Sequence, residues 1–217
     1  MDLSVFSPSS ALLTVVLLAL APYVAVMVTS FTKIVVVFSL LRNALGVQQV
    51  PPNLVLNGLA LILSIFIMFP TTQQMMNRVS GIDNITESTE KLLSAAEAAK
   101  EPLQEFLLKH SSPREREFFY DSIQRMLPES ERDQVSEDDL VVIIPAFTIS
   151  ELTEAFQIGF LIFLPFIVID LVVANILMAM GMMMLSPTIV SLPFKLLLFV
   201  LIEGWAKLAH GLIASYI

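Results

Sequence analysis

The sequence contains no cysteine, which excludes disulfides and thiolate metal sites from this chain. Its two histidines, His110 and His210, lie far apart and lack the spacing of a metal-ligand pair. The seven glycines are scattered, so no phosphate-binding or dinucleotide-binding loop is formed. A serine–histidine–acid pattern is also missing. We therefore expect no cofactor and no metal, and we expect that the protein is not an enzyme.

Charged residues are scarce, at 15% of the chain against about 25% in an ordinary soluble domain. Hydrophobic residues make up 56%, and the mean hydropathy is +0.79. Most charges lie in residues 71–154, which hold seventeen acidic and eight basic side chains. The composition indicates two apolar ends for lipid or a large assembly, separated by an acidic, water-facing insert. It provides no basic surface for nucleic acid.

This distribution divides the chain into three regions. Residues 1–70 form an N-terminal apolar helical hairpin region, residues 71–144 an acidic and mainly helical insert, and residues 145–217 a C-terminal apolar hairpin region. Hydropathy alone predicts four membrane-spanning helices, paired on either side of the insert. No lysine or arginine precedes the first apolar run, so we interpret it as part of the mature protein rather than a signal peptide.

Glycine and proline mark the expected helix ends in the apolar regions. Gly46 fits just past a helix end, and Pro51-Pro52 cannot continue a helix. Asn53 is the expected N-cap of the next helix, which we expect to stop at Pro70. Ser186-Pro187 breaks the last long apolar stretch.

Similar signals divide the insert. Asn84 to Glu87 resembles a helix start, and Pro102 is expected to interrupt the helix that follows. Ser112-Pro113-Arg114-Glu115 combines a capping box with a proline at the first helical position. Residues 128–139 are acidic and are expected to form a loop. Pro165 lies inside the third apolar region, where it is expected to kink a long helix.

Five charged residues stand out because a charge within an apolar helix is costly unless it is paired or hydrated. They are candidate buried charges or subunit contacts: Lys33, Arg42, Asp170, Lys195 and Glu203. One interpretation is a polar pathway or a set of partner contacts. The other, which the residues alone favour, is ion pairing inside a packed bundle.

The pairing interpretation makes specific expectations. Asp170 is expected to meet Lys195 across a hairpin, and Glu203 to pair with Lys207 at an i,i+4 spacing. Lys33 and Arg42 would only mark helix ends, where long basic side chains reach for the interface.

Methionines crowd one position near the end of the third apolar region. Three of them are consecutive, so they cannot share one helical face. Methionine is flexible and polarizable, which suits either an irregular core or a deformable seal. The residues alone favour the core. The cluster around Gly181 comprises Met178, Met180, Met182, Met183 and Met184.

Ordered sequence blocks resemble the FliP/SctR family, an export-gate subunit of flagella and virulence injectisomes. The sequence of residues 46–52 is more similar to the virulence branch of the family than to the flagellar branch. The blocks are Thr29–Lys33, Leu40–Gly46, Gln49–Asn53, Pro145–Gly159, Leu164–Asp170, Met180–Met184 and Leu192–Trp205.

The resemblance implies an all-α fold of kinked apolar helical hairpins with a small helical acidic insert. It implies a core subunit of the type III secretion export gate, which forms the entry pore for unfolded protein across the bacterial inner membrane. Five copies would assemble with the S and T subunits (SctS and SctT, similar to FliQ and FliR) into a ring-like complex. That complex would project to the periplasmic side, so four simple spans would be wrong.

For the methionines, the resemblance implies that Met182, Met183 and Met184 form a gasket lining the closed pore. Two alternatives to the export gate remain at this point. One is an ion-coupled transporter or proton channel that uses Asp170 or Glu203 as a relay. The other is a structural scaffold that does not line the path.

Overall fold

The computed structural model describes residues 8–47, 49–81, 89–182 and 184–217. Every regular element in these ranges is helical, which confirms the expected all-α fold. A 3-10 helix, Glu129–Gln134, occupies part of the expected loop between the fifth and sixth helices. The α-helices are α1 (Pro8–Met27), α2 (Phe31–Leu45), α3 (Asn53–Val79), α4 (Thr89–His110), α5 (Pro113–Met126), α6 (Leu140–Ala179), α7 (Pro187–Leu201) and α8 (Gly204–Ala214).

Three of the expected boundaries are confirmed. α2 ends at Leu45, and Gly46 follows with a φ of 80°, a left-handed conformation that glycine adopts without a steric cost. α5 begins at Pro113 and α7 at Pro187, each preceded by a serine. Proline fits there because the first helical N–H has no partner within the helix. The expected capping box is absent, because the Ser112 side chain makes no capping hydrogen bond and the Ser112 backbone N–H donates to Ser150 Oγ.

One expectation about a helix start needs correction, and a second cannot be compared with the described residues. Asn53 is the first residue of α3, and Pro52 occupies the cap position. The Asn53 side chain instead accepts a hydrogen bond from the Arg42 guanidinium. The expected helix start from Asn84 to Glu87 lies outside the described residues.

Prolines within the helices do not end them. α3 continues through Pro70 to Val79, and α4 continues through Pro102. α6 runs unbroken for 40 residues through Pro165. An interior proline removes one backbone hydrogen bond at a cost of about 3 kcal/mol. The three helices continue through these positions, so the folded chain tolerates this loss. The kink expected at Pro165 stays a prediction.

The longest helix, α6, organises the packing. α2 and α7 lie along it from the apolar regions, and α4 and α5 of the insert pack against its first half. α3 covers the other side of α2 and contacts α4. Since α6 continues across residues 144 and 145, the insert and the C-terminal hairpin region share one helix. The three-region division remains a prediction.

Within the described residues, two helices are long and apolar enough to cross a membrane: α3 and α6. α7 and α8 would provide a third span if they are counted together, although they meet at a bend of 59°. The hydropathy prediction of four spans is therefore too high for the described part of the chain. The bend agrees with the expectation of kinked apolar helices.

Candidate functional site

Lys33 is a buried charge near the start of α2, with a side chain that is 1% exposed. Its Nζ lies 3.0 Å from Glu151 Oε1 and 2.6 Å from Glu154 Oε2, both on α6. The same ammonium lies 4.3 Å from the ring centroid of Tyr216, which follows α8. The expectation that Lys33 only marks a helix end is wrong. Its charge is retained inside the protein by two carboxylates and an aromatic face.

Tyr216 links this ion pair to the acidic insert. Its hydroxyl donates a hydrogen bond to Glu151, and its ring stacks on Phe106 of α4 with centroids 6.2 Å apart. His110, at the end of α4, lies 4.9 Å from the Tyr216 ring. Burial, reinforced by the positive charges of Lys109 and Lys33, lowers the pKa of His110 to about 4. The imidazole is therefore neutral at neutral pH.

A second buried cation joins three helices. Lys195 of α7 is 2% exposed, and its Nζ lies 2.7 Å from Asp170 Oδ2 on α6. Lys195 also donates to the carbonyl of Ala44 at 3.2 Å, near the end of α2. Helix C-termini carry partial negative charge, so this contact favours the ammonium. Ser191 donates to the other Asp170 oxygen. The expected contact between Asp170 and Lys195 is present.

The remaining two candidate charges have different surroundings. Arg42 is half-buried and donates to Asn53, with no ion pair among the described residues. Glu203 is exposed, and its expected ion pair with Lys207 does not form. The reason is the backbone, because Glu203 has a φ of 54° and forms the break between α7 and α8. Glu203 occupies the N-cap of α8, and its carbonyl accepts a hydrogen bond from the Lys207 N–H. Its left-handed backbone, however, gives the side chain a direction that differs from that of a residue within the helix.

The methionine loop, residues 180–186, joins α6 to α7 at the tip of their hairpin. Gly181 has a φ of 72°, which turns the chain out of α6. The side chains of Met182 and Met184 are 43% and 101% exposed, so neither fills a core within this chain. Met183 lies outside the described residues. Met180 is also exposed, so the core interpretation of the cluster is wrong for the three loop methionines that the structure describes.

Sequence reasoning missed three polar residues: Glu151, Glu154 and Tyr216. The two glutamates are three positions apart, and this spacing places them on one helical face. Glu151 and Glu154 lie just before a long apolar stretch. The N-terminal apolar region contains Lys33, which has no acidic residue near it in sequence. The glutamate pair and the lysine without a local partner together could have predicted this ion pair from the sequence. No cluster of three acidic or histidine side chains in the described ranges is arranged to hold a metal.

Residues 12–212 match the FliP family. The chain belongs to the FliP family. Over 214 residues it is 51% identical to the Hypersensitivity response secretion protein HrcR of Ralstonia nicotianae, covering 96% of this chain and 97% of that protein. It is 56% identical over 205 residues to the Yop proteins translocation protein R of Yersinia pestis, covering 92% of both. The Virulence protein YscR of Salmonella typhimurium is 47% identical over 215 residues, covering 97% of both.

The family match includes all the polar and methionine positions described above except Tyr216, which lies beyond residue 212. The two buried lysines of this FliP-family chain therefore belong to the matched part. They fix two different places: Lys33 joins α2 to α6 and to Tyr216, and Lys195 closes the base of the α6–α7 hairpin. The methionine loop projects from the second of these places.

Proposed function

We propose that this chain is the R-type subunit of the export gate of a virulence type III secretion system. In this role it forms part of the entry pore through which unfolded proteins cross the bacterial inner membrane, and it catalyses no reaction. One observation carries the proposal. Two relatives that match almost the whole length of the chain are named as a hypersensitivity response secretion protein and as a Yop proteins translocation protein.

Apolar surface supports an assembled, membrane-associated state. α3 and α6 are long and apolar enough to span a bilayer, yet only 22% and 11% of their apolar windows are buried within this chain. Exposed apolar area of this extent is covered by lipid or by other subunits. We propose that five copies, together with the S and T subunits, cover it in a ring-like complex that projects to the periplasmic side.

The α6–α7 hairpin provides the proposed closure. Its base is held by Lys195, which contacts both Asp170 and the Ala44 carbonyl. Met182 and Met184 lie exposed at the opposite end of the hairpin, with Met183 between them in sequence. Five such loops around one axis would bring flexible thioether side chains together when the pore is empty. The same side chains would adapt to an extended polypeptide of any sequence.

Two consequences follow for the mechanism. The sequence contains no nucleotide-binding motif, so other components supply the energy for transport. In the ion-coupled transporter alternative, Asp170 would be a free relay group. The structure instead holds Asp170 in contact with Lys195 and Ser191, where it acts as a fixed partner of the hairpin.

The methionine loop can be tested by ion conductance. We expect that replacing Met182, Met183 and Met184 with alanine raises the leak of small ions through the assembled gate, because shorter side chains leave the axis open. Met126→Ala is the matched control, since Met126 is 81% exposed but lies on α5 of the insert. Conductance would be recorded from purified complexes in planar bilayers. Unchanged conductance in a complex of normal subunit composition would refute the gasket.

A further inference from the structure

An apolar notch opens between the end of α2 and the corner of α7 and α8. Its volume is about 550 Å³, and one carboxylate, Glu203, lies on its rim. The walls come from the α2 end and its following loop (Leu45, Val47 and Pro51) and from the corner (Val200, Glu203 and Trp205). The notch is separate from the methionine loop. Neither buried lysine lines it, although Leu196, next to Lys195, does.

The corner holds Glu203 in a fixed position. A Cβ at Gly204 would lie 2.0 Å from the Phe199 ring, so the ring packs directly on the glycine backbone. The rings of Phe199 and Trp205 meet edge to face at 5.5 Å. Glu203 is the one residue other than glycine with a positive φ among those described. Such a conformation persists where the surrounding structure imposes it, and it concentrates at functional sites.

The carboxylate of Glu203 has no cationic partner among the described residues. A single charge at the edge of an apolar surface is costly in a membrane or a subunit interface unless a cation meets it. The notch therefore has the chemistry to receive an apolar helix that carries a lysine or an arginine, with the apolar side chains in the notch and the cation on Glu203.

A second copy of this chain is a poor source of that cation. Lys33 and Lys195 are already paired inside the protein. The eight basic residues of 71–154 lie in the charged middle of the sequence and not within an apolar run. Arg42 is bonded to Asn53 beside the notch, and Lys207 lies on α8 close to Glu203. A contact through either residue would bring the same patch of two copies together. Such a two-fold contact closes a dimer and does not continue around a ring.

We infer that the notch between α2 and the α7–α8 corner binds an apolar helix of a different polypeptide, through a lysine or arginine that pairs with Glu203. The inference rests on the proposed function in one respect, since it requires an assembly of unlike subunits. It adds the place of contact and the chemistry of the partner helix.

Photo-crosslinking in the complete secretion complex tests the contact. p-Benzoylphenylalanine is placed at Val200, which lines the notch, or at Leu201, which does not; both side chains are 71% exposed. We expect Val200 to form an adduct with a different polypeptide, at an apolar peptide that contains a lysine or arginine. A second probe at Ala206, on the α8 wall, detects the same partner if the probe at Val200 blocks docking.

The role of the Glu203 charge is tested with the same crosslinking probes. Glu203→Gln should reduce the adduct yield roughly tenfold, since loss of one member of a desolvated charge pair weakens an interface strongly. Glu203→Asp should keep most of it. The inference is overturned if neither notch probe forms an adduct, if Leu201 crosslinks equally well, if the adduct is a second copy, or if Glu203→Gln has no effect. In these cases the proposed function would still hold if the wild-type chain supports protein export. If the wild-type chain does not assemble with unlike subunits, the notch inference and the proposed function both fail.

Discussion

At the scale of single residues, Lys33 shows how an apolar bundle retains a charge. Transfer of an ammonium from water to a protein interior costs several kcal/mol, which only close partners can offset. Lys33 has Glu151 and Glu154 within 3.0 Å. The three side chains join α2 to α6, and Tyr216 completes the group from beyond α8. A change in one member therefore affects the others through unbalanced charge.

Lys33→Met should destabilise the protein by about 3–5 kcal/mol, because it leaves the buried Glu151 carboxyl group without its cation. Adding Glu151→Gln should restore most of the loss. Glutamine still accepts the Tyr216 hydroxyl, and Glu154 is 51% exposed and reaches solvent. Unfolding in detergent, followed by circular dichroism, measures both variants. Lys207→Met is the exposed control. A double variant no more stable than Lys33→Met would show that packing, not charge balance, sets the effect.

At the scale of helices, the crossing of α2 and α6 depends on one glycine. A Cβ at Gly159 would lie 2.2 Å from Leu40 Cδ1 and 3.1 Å from Leu40 Cβ. The nearer atom could rotate away, but the Cβ of Leu40 is fixed by the α2 backbone. The two helices approach closely because Gly159 has no side chain, and this approach brings Lys33 within reach of α6.

Gly159→Ala should therefore destabilise the protein by about 1–3 kcal/mol, the usual cost of overpacking a tight contact. Gly58→Ala on α3 is the matched control, since nothing lies within 4 Å of the added Cβ. That variant should be neutral or stabilising by up to about 1 kcal/mol, because alanine favours a helix over glycine. Thermal unfolding in detergent compares them. Equal melting temperatures would mean that α2 and α6 separate without cost.

The helix ends show which local signals can be interpreted from sequence. Gly46, Pro113 and Pro187 act where the chain must leave or enter a helix, so local chemistry alone determines the boundary. Pro70 and Pro102 were wrongly expected to act in the same way. Their effect depends on whether packing on both sides holds the helix together, and packing is a property of the folded chain that no local pattern contains.

The same distinction applies to the candidate site. Asp170 and Lys195 could be paired from sequence because they lie on the two sides of one hairpin. The Lys33 group could not, since α2, α6 and the segment after α8 are distant in sequence and meet only in the fold. For Glu203, the i,i+4 spacing of a helix predicted an ion pair with Lys207. The left-handed backbone at Glu203 changes the direction of its side chain, and no sequence pattern indicated that a glutamate would adopt this conformation.

At the scale of the whole molecule, the single chain leaves much of its apolar surface uncovered. Only 11% of the most apolar window of α6 is buried within the protein. Long side chains such as Leu54 on α3 and Phe160 on α6 are 83% and 63% exposed. A single chain with this surface would aggregate in water, so its stable form includes lipid or other subunits.

The subunit composition of that form decides whether the methionine loops can meet. We expect that native mass spectrometry of the detergent-extracted complex, after co-expression with the S and T subunits, gives the mass of five copies bound to both partners. A ring of identical copies needs unlike patches to meet between neighbours, whereas a contact of like patches stops at two. Release of a stable dimer or monomer without affinity for S and T would remove the common axis. Met182 and Met184 would then be exposed with no counterpart to close against, and the seal would lose its physical basis.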